Sequence, residues 1–255
     1  RNDKQIELSE EIQKLLKITE TTLSGEELCK KLLTLDVDLL FNGGVGTYVK
    51  ASDENNLDLG DKQNEAVRVN ANELRAKIVS EGGNLGFTQK ARIEYALNGG
   101  RINQDAIDNS GGVNTSDHEV NLKILLNVIK NEGLLNEQQA KDTLQSLTQD
   151  VVGLVLKSSY DQACVISIDE EFSKKYPNDY IKVIETLENE GEGFNRKDFY
   201  IPKNENFRNI IDINGSVVRP VLGTLLSYCK IFIKKAILES PLVDEEFSEQ
   251  YLFRY

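Results

Sequence analysis

Residues 37–47, VDLLFNGGVGT, decide the fold class, because a short apolar run there ends in a glycine loop. This pattern predicts a buried strand that leads into a tight turn. The stretches at residues 76–84, AKIVSEGGN, and at residues 101–113, RINQDAIDNSGGV, repeat the pattern. Helical spacing predicts helices between them, over Asn64–Ala71 and Thr88–Leu97. Three successive strand, loop and helix units are typical of an α/β fold with a parallel sheet.

Each predicted strand ends in a polar loop with an asparagine, namely Asn42, Asn84 and Asn109. Because ligands bind beyond the carboxyl ends of parallel strands, we expect these asparagines at the ends of adjacent strands, near one crevice. Glycine lets the backbone approach a ligand closely, and an amide offers a donor and an acceptor for a carboxamide or a ribose hydroxyl. None of the loops is GxGxxG, so the alternative of strand-to-helix turns without a ligand stays open.

Helices are predicted on both sides of this region. On its N-terminal side, Ser9 and Ser24 are N-cap candidates, and Ser24 with Glu27 forms a capping-box pattern. On its C-terminal side the strand patterns disappear and helical spacing takes over, with a loop rich in Gly, Asn and charge at residues 189–214. The helical segments are Val120–Lys130, Asn136–Lys157 as one or two helices, Asp179–Asn189 and Arg219–Glu239.

The composition is typical of a soluble globular protein. The 255 residues hold 30 basic and 42 acidic side chains, and the net charge of −12 argues against nucleic acid and anionic membrane surfaces as partners. No apolar run of about 18 residues and no signal peptide is visible, so we expect a cytoplasmic location. Cys29, Cys164 and Cys229 lie far apart beside a single histidine, so we expect no metal site. The absence of Met predicts a fragment, a processed product or an incomplete record of the chain.

Two side chains near the third glycine pair have two interpretations each. His118, flanked by Asp117 and Glu119, could act as a base oriented by a carboxylate, or it could be structural. Ser116 could point its hydroxyl at the crevice, or it could cap a helix together with Glu119. Both roles of Ser116 can hold at once, because helix N-termini attract carboxylates.

The quoted stretches resemble a known family. Residues 76–84 with Thr88 resemble the glutamate dehydrogenase pattern A-K-I-V-x-E-G-A-N…T, and residues 107–116 resemble its pattern A-N-[AS]-G-G-V-x-x-S. Residues 37–50 and 116–121 are similar to stretches of the large NAD-specific bacterial glutamate dehydrogenases.

The resemblance is strongest over residues 36–130 and continues more weakly to the end of the chain. Residues 219–231, RPVLGTLLSYCKI, look like the family's R-P-E-L-A-V-L-L-A-Y-A-K-I. Val221 stands where that pattern has Glu, which puts the surface or interface contact of this Glu in doubt.

The resemblance implies oxidative deamination of L-glutamate to 2-oxoglutarate and ammonia, with hydride transfer to NAD. It implies nicotinamide contacts for Asn84 and Asn109, and a hydrogen bond from Ser116 to the side-chain carboxylate of the substrate. Gly83 stands where many relatives have Ala, a departure that we expect to be tolerated. It further implies close backbone at the cofactor ribose, at Asn42, Gly43, Gly44, Gly82, Gly83, Gly111 and Gly112.

The family's catalytic lysine and aspartate, its substrate-holding lysines and its pyrophosphate loop are implied to lie upstream, so we expect no catalytic residue in this chain and no activity of the chain alone. Residues 1–130 are then a Rossmann-like nucleotide-binding domain, incomplete at its N-terminal side, and residues 131–255 a helical C-terminal domain. The full-length enzyme is expected to be a homo-oligomer of amino-acid catabolism. The alternative is a non-catalytic nucleotide-binding or regulatory module of the same fold.

Overall fold

The computed structural model describes residues 1–246 of the chain, in which short strands in the first half give way to long helices in the second. The strands are β1 (Ile6–Glu7), β2 (Thr22–Leu23), β3 (Leu39–Asn42), β4 (Val49–Lys50), β5 (Val69–Asn70), β6 (Ile78–Glu81) and β7 (Arg101–Ile102). The α-helices are α1 (Glu10–Leu16), α2 (Gly25–Leu33), α3 (Gln89–Leu97), α4 (Asp105–Asp108), α5 (Ser110–Asn131), α6 (Glu137–Ser146), α7 (Thr148–Lys175), α8 (Pro177–Glu190) and α9 (Arg219–Leu238). Turns of 3-10 helix occur at Asn56–Leu59, Lys62–Val67, Ala71–Glu73, Arg196–Phe199, Asn204–Ile210 and Pro241–Asp244.

A three-stranded parallel sheet, with the order β3-β6-β7, forms the centre of the first half. Leu39 pairs with Ile78, and Ile78 pairs in turn with Arg101, so the three strands run side by side in one direction. The small pairs β1–β2 and β4–β5 form separate two-stranded sheets. The expectation of an α/β fold followed by a helical region is confirmed.

The two faces of this sheet differ in burial, as the alternation of side chains along a strand requires. Val79 and Glu81 of β6 point into the core and are 2% and 0% exposed. On the other face, Leu39 and Phe41 of β3 are exposed. Val79 and Ile102 belong to one hydrophobic core with the buried residues of α3 and α9. The inward face of the sheet therefore carries the packing.

The first two turns of α9 complete that core. All seven residues from Arg219 to Leu225 are buried. The Gln89 amide on α3 donates to the carbonyl of Pro220 at 3.3 Å. Val221 is 0% exposed, so it holds a core position and not a surface or interface position. An apolar side chain is what this environment favours.

Three helix starts predicted from the sequence are confirmed. The Ser9 hydroxyl accepts a hydrogen bond from Ile12 N, and Ser24 forms the complete capping box with Glu27. Thr88 caps α3 by accepting from Ala91 N at 3.0 Å. The first backbone N–H groups of a helix have no carbonyl acceptor within the helix, and such caps supply an acceptor for them.

The third predicted strand is wrong beyond Ile102. β7 ends there, and the chain enters α4 at Asp105 and α5 at Ser110. The Asp105 carboxylate accepts a hydrogen bond from Ala106 N at 2.9 Å, and negative charge favours a helix N-terminus. Ile107 N then donates to the carbonyl of Gln104 at 2.9 Å. A short apolar run with an acidic start is thus helical here, and periodicity alone does not separate the two cases.

The helix predicted over Asn64–Ala71 is wrong in kind. Residues 62–67 form a 3-10 turn, and the chain then extends into β5. The backbone here pairs with β4 instead, since Val69 N donates to the carbonyl of Tyr48 at 2.9 Å. The buried Arg68 guanidinium adds contacts at the same place, with Nε donating to the carbonyl of Thr47 at 2.9 Å and Nη2 to the carbonyl of Asp61 at 2.6 Å.

The second half is built on α7, which packs against α5, α8 and α9. Ile166 on α7 and Ile184 on α8 are both 0% exposed and mark the centre of this packing. Residues 247–255 of the predicted helical C-terminal domain lie outside the described residues. The predicted helices 120–130, 136–157, 179–189 and 219–239 are confirmed within α5, α6 with α7, α8 and α9.

Among residues 1–246, α7 is the one helix that is long and apolar enough to cross a membrane. It has 28 residues, and an 18-residue window of it has a mean hydropathy of 1.3. Single helices of soluble proteins also meet this criterion. The helix carries an ion pair between Lys157 and Asp161, with 2.7 Å between Nζ and Oδ2.

Candidate functional site

The loops after β3 and β6 lie against each other at the carboxyl edge of the sheet. The carbonyl of Asn42, the last residue of β3, accepts a hydrogen bond from Gly82 N at 2.9 Å. A Cβ atom at residue 83 would overlap the backbone oxygen of Gly44. Gly83 therefore fits this chain because the two loops approach more closely than an alanine allows.

Gly83→Ala is expected to destabilise the fold by about 1–3 kcal/mol, because a methyl group pressed against backbone forces the loops apart. Gly153→Ala is the matched control. Gly153 lies within α7, where an added Cβ meets no atom within 4 Å, and alanine is favoured over glycine in helices by about 1 kcal/mol. Urea unfolding of both variants measures the two effects, and wild-type stability of Gly83→Ala would contradict the loop contact.

Asn84 and Asn109 meet directly at this edge. Asn109 Nδ2 donates to Asn84 Oδ1 at 2.5 Å. Asn84 follows β6, as expected, whereas Asn109 lies between α4 and α5 and not at the end of a strand. Its φ of −95° places no left-handed demand on the backbone. The amide contact, and not a turn requirement, is what the structure offers as a role for Asn109.

The third glycine pair lies in the first turn of α5 and not in a loop, which corrects the sequence-based expectation. A Cβ at Gly111 would lie 3.7 Å from Val155 Cγ1 and one at Gly112 would lie 3.7 Å from Asn109 Oδ1, which are ordinary contact distances. Packing within the described residues therefore does not require glycine here. The absence of side chains leaves the N-terminal turn of α5, with its partial positive charge, open to close approach.

Ser116 lies in the second turn of α5, so its prediction as an N-cap is wrong. Its hydroxyl is on the exposed surface and donates to the carbonyl of Gly112 at 3.2 Å, one turn back along the helix. His118, also on α5, is half-buried. The helix starts at Ser110, ahead of both residues.

The side-chain amide of Asn42 uses its oxygen but not its nitrogen in hydrogen bonds. Its Oδ1 accepts from Gly44 N at 3.3 Å, whereas its buried Nδ2, which lies against Gly86, has no hydrogen-bond partner in the described residues. A buried amide nitrogen without a partner is uncommon in proteins. The nitrogen is enclosed by the loop packing, so it is a buried unsatisfied donor and not a group open to a ligand in this conformation.

Beneath the edge lies a buried ion cluster of Glu81, Arg92 and Asp105, which the sequence reasoning missed. Arg92 Nε is 2.6 Å from Glu81 Oε2, and its Nη2 is 3.2 Å from Asp105 Oδ2. Burial is the largest influence on the pKa of Glu81 and raises it, while the bonds and charge of Arg92 act in the opposite direction. One signal was available: strand alternation places Glu81 on the same face as Val79, in the core, where a carboxylate needs a partner.

The best-formed cavity in the described residues lies away from this edge. This cavity of about 650 Å³ is lined by Pro177, Phe207 and Arg208 among others, and includes none of the asparagines above. Within residues 1–246, no group of three or more His, Cys, Asp or Glu side chains is arranged to hold a metal ion. The edge offers amides, exposed backbone and a helix N-terminus, which suit an uncharged or anionic organic ligand.

Comparison with known proteins agrees with the motifs at this edge. The NAD-specific glutamate dehydrogenase of Pseudomonas aeruginosa is 41% identical over 247 residues, which cover 97% of this chain and 15% of that protein. Its counterpart from Halomonas elongata is 39% identical over 245 residues, covering 96% of this chain and 15% of that protein. The counterpart from Mycobacterium tuberculosis is 37% identical over 261 residues, covering 100% of this chain and 16% of that protein.

The chain thus spans about one sixth or less of the length of these relatives. The model of the family described as bacterial NAD-glutamate dehydrogenase, catalytic domain, matches residues 1–169. That match includes β3, β6, α4 and the start of α5, the elements that carry the edge. The chain belongs to the bacterial NAD-glutamate dehydrogenase family.

Proposed function

We propose that the intact protein oxidises L-glutamate to 2-oxoglutarate and ammonia and passes the hydride to NAD, and that this chain supplies the nicotinamide side of the site. The observation that carries the proposal is the hydrogen bond between Asn84 and Asn109. It joins the two motifs by which the sequence resembles the family, at the sheet edge where ligands bind in α/β folds.

The residues present fit NAD. Asn84 and Asn109 each keep unused hydrogen-bonding capacity on an exposed or half-buried amide, which suits a carboxamide. Asn42 is proposed to lie by the cofactor ribose, although its own Nδ2 is buried. The remaining members of the proposed site are glycines that let backbone approach the cofactor, at Gly43, Gly44, Gly82, Gly83, Gly111 and Gly112. NAD, when bound, supplies the hydride acceptor.

The protein's own contribution at this edge is alignment. Hydride transfer depends on the geometry of donor and acceptor, so fixed amides that hold a ring in one orientation accelerate it. We propose that Ser116 binds the side-chain carboxylate of the substrate, aided by the positive end of α5. Its hydroxyl must then turn from the carbonyl of Gly112 to the ligand.

Proton transfer needs groups other than these. Amides, glycines and a serine hydroxyl do not titrate near neutral pH, so we propose that the acid and base belong to another part of the intact protein. We further propose a cytoplasmic homo-oligomer, with residues 1–130 as the nucleotide-binding domain and residues 131–255 as the helical domain. The competing function is a nucleotide-binding or regulatory module, and it predicts that the intact protein binds NAD without glutamate-dependent NADH formation.

Asn109→Ala in the intact protein is expected to lower kcat by about tenfold, the effect of one lost hydrogen bond that orients the ring. Stopped-flow measurement of NADH formation gives kcat, and far-ultraviolet circular dichroism shows whether the variant keeps the native fold. Asn131→Ala, on an exposed residue at the other end of α5, is the matched control and should leave kcat unchanged. An unchanged kcat in Asn109→Ala would contradict the proposed role.

A further inference from the structure

We propose that Arg92 is a positioning residue for hydride transfer: it ties the loop that carries Asn84 to α4, the helix that ends at Asn109. The inference rests on the proposed function for its catalytic consequence. The coupling of the two segments by one guanidinium rests on the contacts of Arg92 with Glu81 and Asp105. Arg92 itself is buried on α3, with a side chain 3% exposed, and is not a ligand contact.

The first half of the coupling closes the base of the loop. Glu81, at the end of β6, accepts hydrogen bonds from Arg92 Nε at 2.6 Å and from Arg92 Nη2 at 3.0 Å. The same carboxylate accepts from Phe87 N at 3.1 Å. Residues 81 and 87 are thereby joined, and the loop between them carries Asn84. The guanidinium fixes the carboxylate that makes this closure.

The second half reaches the apex of the loop. Arg92 Nη2 lies 3.2 Å from Asp105 Oδ2, and the same oxygen accepts from Leu85 N at 2.8 Å. Asp105 is the first residue of α4, and its carbonyl accepts from Asn109 N at 2.7 Å. Asp105 therefore contacts Leu85, the residue after Asn84, through its side chain, and Asn109 through its backbone carbonyl.

The backbone of Leu85 indicates that this loop is held in an energetically unfavourable conformation. Leu85 has a φ of +60° and its side chain is 64% exposed, so neither glycine freedom nor burial accounts for the left-handed geometry. Such strain persists where surrounding contacts over-determine it, and it concentrates at functional sites. The Asp105 bond to Leu85 N is the contact that holds it.

The choice of charged groups also favours positioning over simple stabilisation. A buried ion pair contributes little more stability than well-packed apolar side chains. It does, however, fix the relative orientation of the groups that it joins. Bidentate contacts of a guanidinium fix both distance and plane. A lysine at this position keeps the positive charge but cannot span both carboxylates with the same geometry.

The test uses the intact protein and Arg92→Lys. Kinetic isotope effects with glutamate deuterated at Cα and hydrogen exchange over residues 82–87 and 105–109 are the readouts. We expect kcat to fall about 10- to 100-fold with the KM for glutamate within about threefold, and the isotope effect to rise, because misalignment slows the hydride step itself. Amide protection should fall at least about tenfold in both segments together.

Lys90→Met is the matched control, because Lys90 lies on the same helix and pairs with Asp53, away from the loop. It should change none of these readouts. Should Arg92→Lys not fold, Asp105→Asn decides on the same criteria, since it removes the charge while keeping an acceptor for Leu85 N. Unchanged kcat and isotope effect, or loss of protection in only one segment, would overturn the inference.

These outcomes separate the inference from the proposed function. A wild-type protein without glutamate-dependent NADH formation contradicts the function, and hydrogen exchange in the two segments still decides whether Arg92 couples them. A wild-type protein with that activity, in which Asn109→Ala is impaired but Arg92→Lys is not, contradicts the inference alone.

Discussion

The polypeptide of residues 1–255 by itself is expected to form NADH from glutamate at least about 10⁴-fold more slowly than the intact protein. The proposed site residues of this chain are amides, glycines and one hydroxyl, which orient ligands but do not move protons near neutral pH. Removing a single positioned acid or base typically costs about 10²–10⁴-fold, and here we expect every such group to be supplied from elsewhere. Weak NAD binding is the activity we expect the polypeptide to retain.

NADH absorbance during incubation of the purified polypeptide with glutamate and NAD measures this prediction, with circular dichroism to establish that it is folded. The Asn109→Ala polypeptide serves as the control for contaminating enzyme, because NADH formation that does not change with this substitution does not arise from the chain. Glutamate-dependent NADH formation that Asn109→Ala lowers would contradict the prediction.

Val221→Glu is expected to cost about 4 kcal/mol of unfolding free energy or more, although glutamate is the residue of the similar family pattern. Val221 is 0% exposed among the apolar residues that α9 contributes to the core. A carboxylate placed there loses its hydration without a partner, which is among the largest penalties a single substitution brings. Val221→Thr, of nearly the same volume, is the matched control and should cost about 1–2 kcal/mol.

The penalty at Val221 should depend on pH with a definite sign. Burial raises the folded-state pKa of the introduced carboxyl above its unfolded value, so the folded state binds its proton more tightly. The destabilisation is therefore smallest below the ordinary glutamate pKa of about 4.3 and grows as pH rises through the folded-state pKa. Urea unfolding at several pH values measures it, and a small penalty near neutral pH would mean that a cation reaches this site.

Local patterns predicted the parts of the fold that local forces determine. The predicted caps at Ser9 and Ser24, and the predicted helix start at Thr88, depend on hydrogen bonds within three residues, so the sequence contains all of the information. The strands β3 and β6 were predicted because a short apolar run with a following glycine loop is a strong pattern, but the expected burial of β3 is wrong, since Leu39 and Phe41 are exposed. The errors at residues 64–71 and 105–109 arise where a distant partner or a short apolar run decides the outcome.

In the candidate site, too, residues within the motifs were predicted and contacts between separate elements were not. The motifs predicted that Asn42, Asn84 and Asn109 lie near one crevice, and Asn84 and Asn109 are in contact although Asn109 lies between α4 and α5 and not at a strand end. The ion cluster below them was not predicted, because Glu81, Arg92 and Asp105 belong to three separate elements. Their pairing exists only after the sheet, α3 and α4 have packed.

Because the first two turns of α9 complete the core around α3, a nascent chain on the ribosome cannot close that core until residue 225 has been made. Gln89 cannot form its hydrogen bond until Pro220, 131 residues later, has been synthesised. At about 5–20 residues per second, roughly 7–26 s separate the synthesis of these two partners. During that interval the apolar side chains of α3 and β7 that α9 later covers are open to chaperones, and to aggregation when chaperones are scarce.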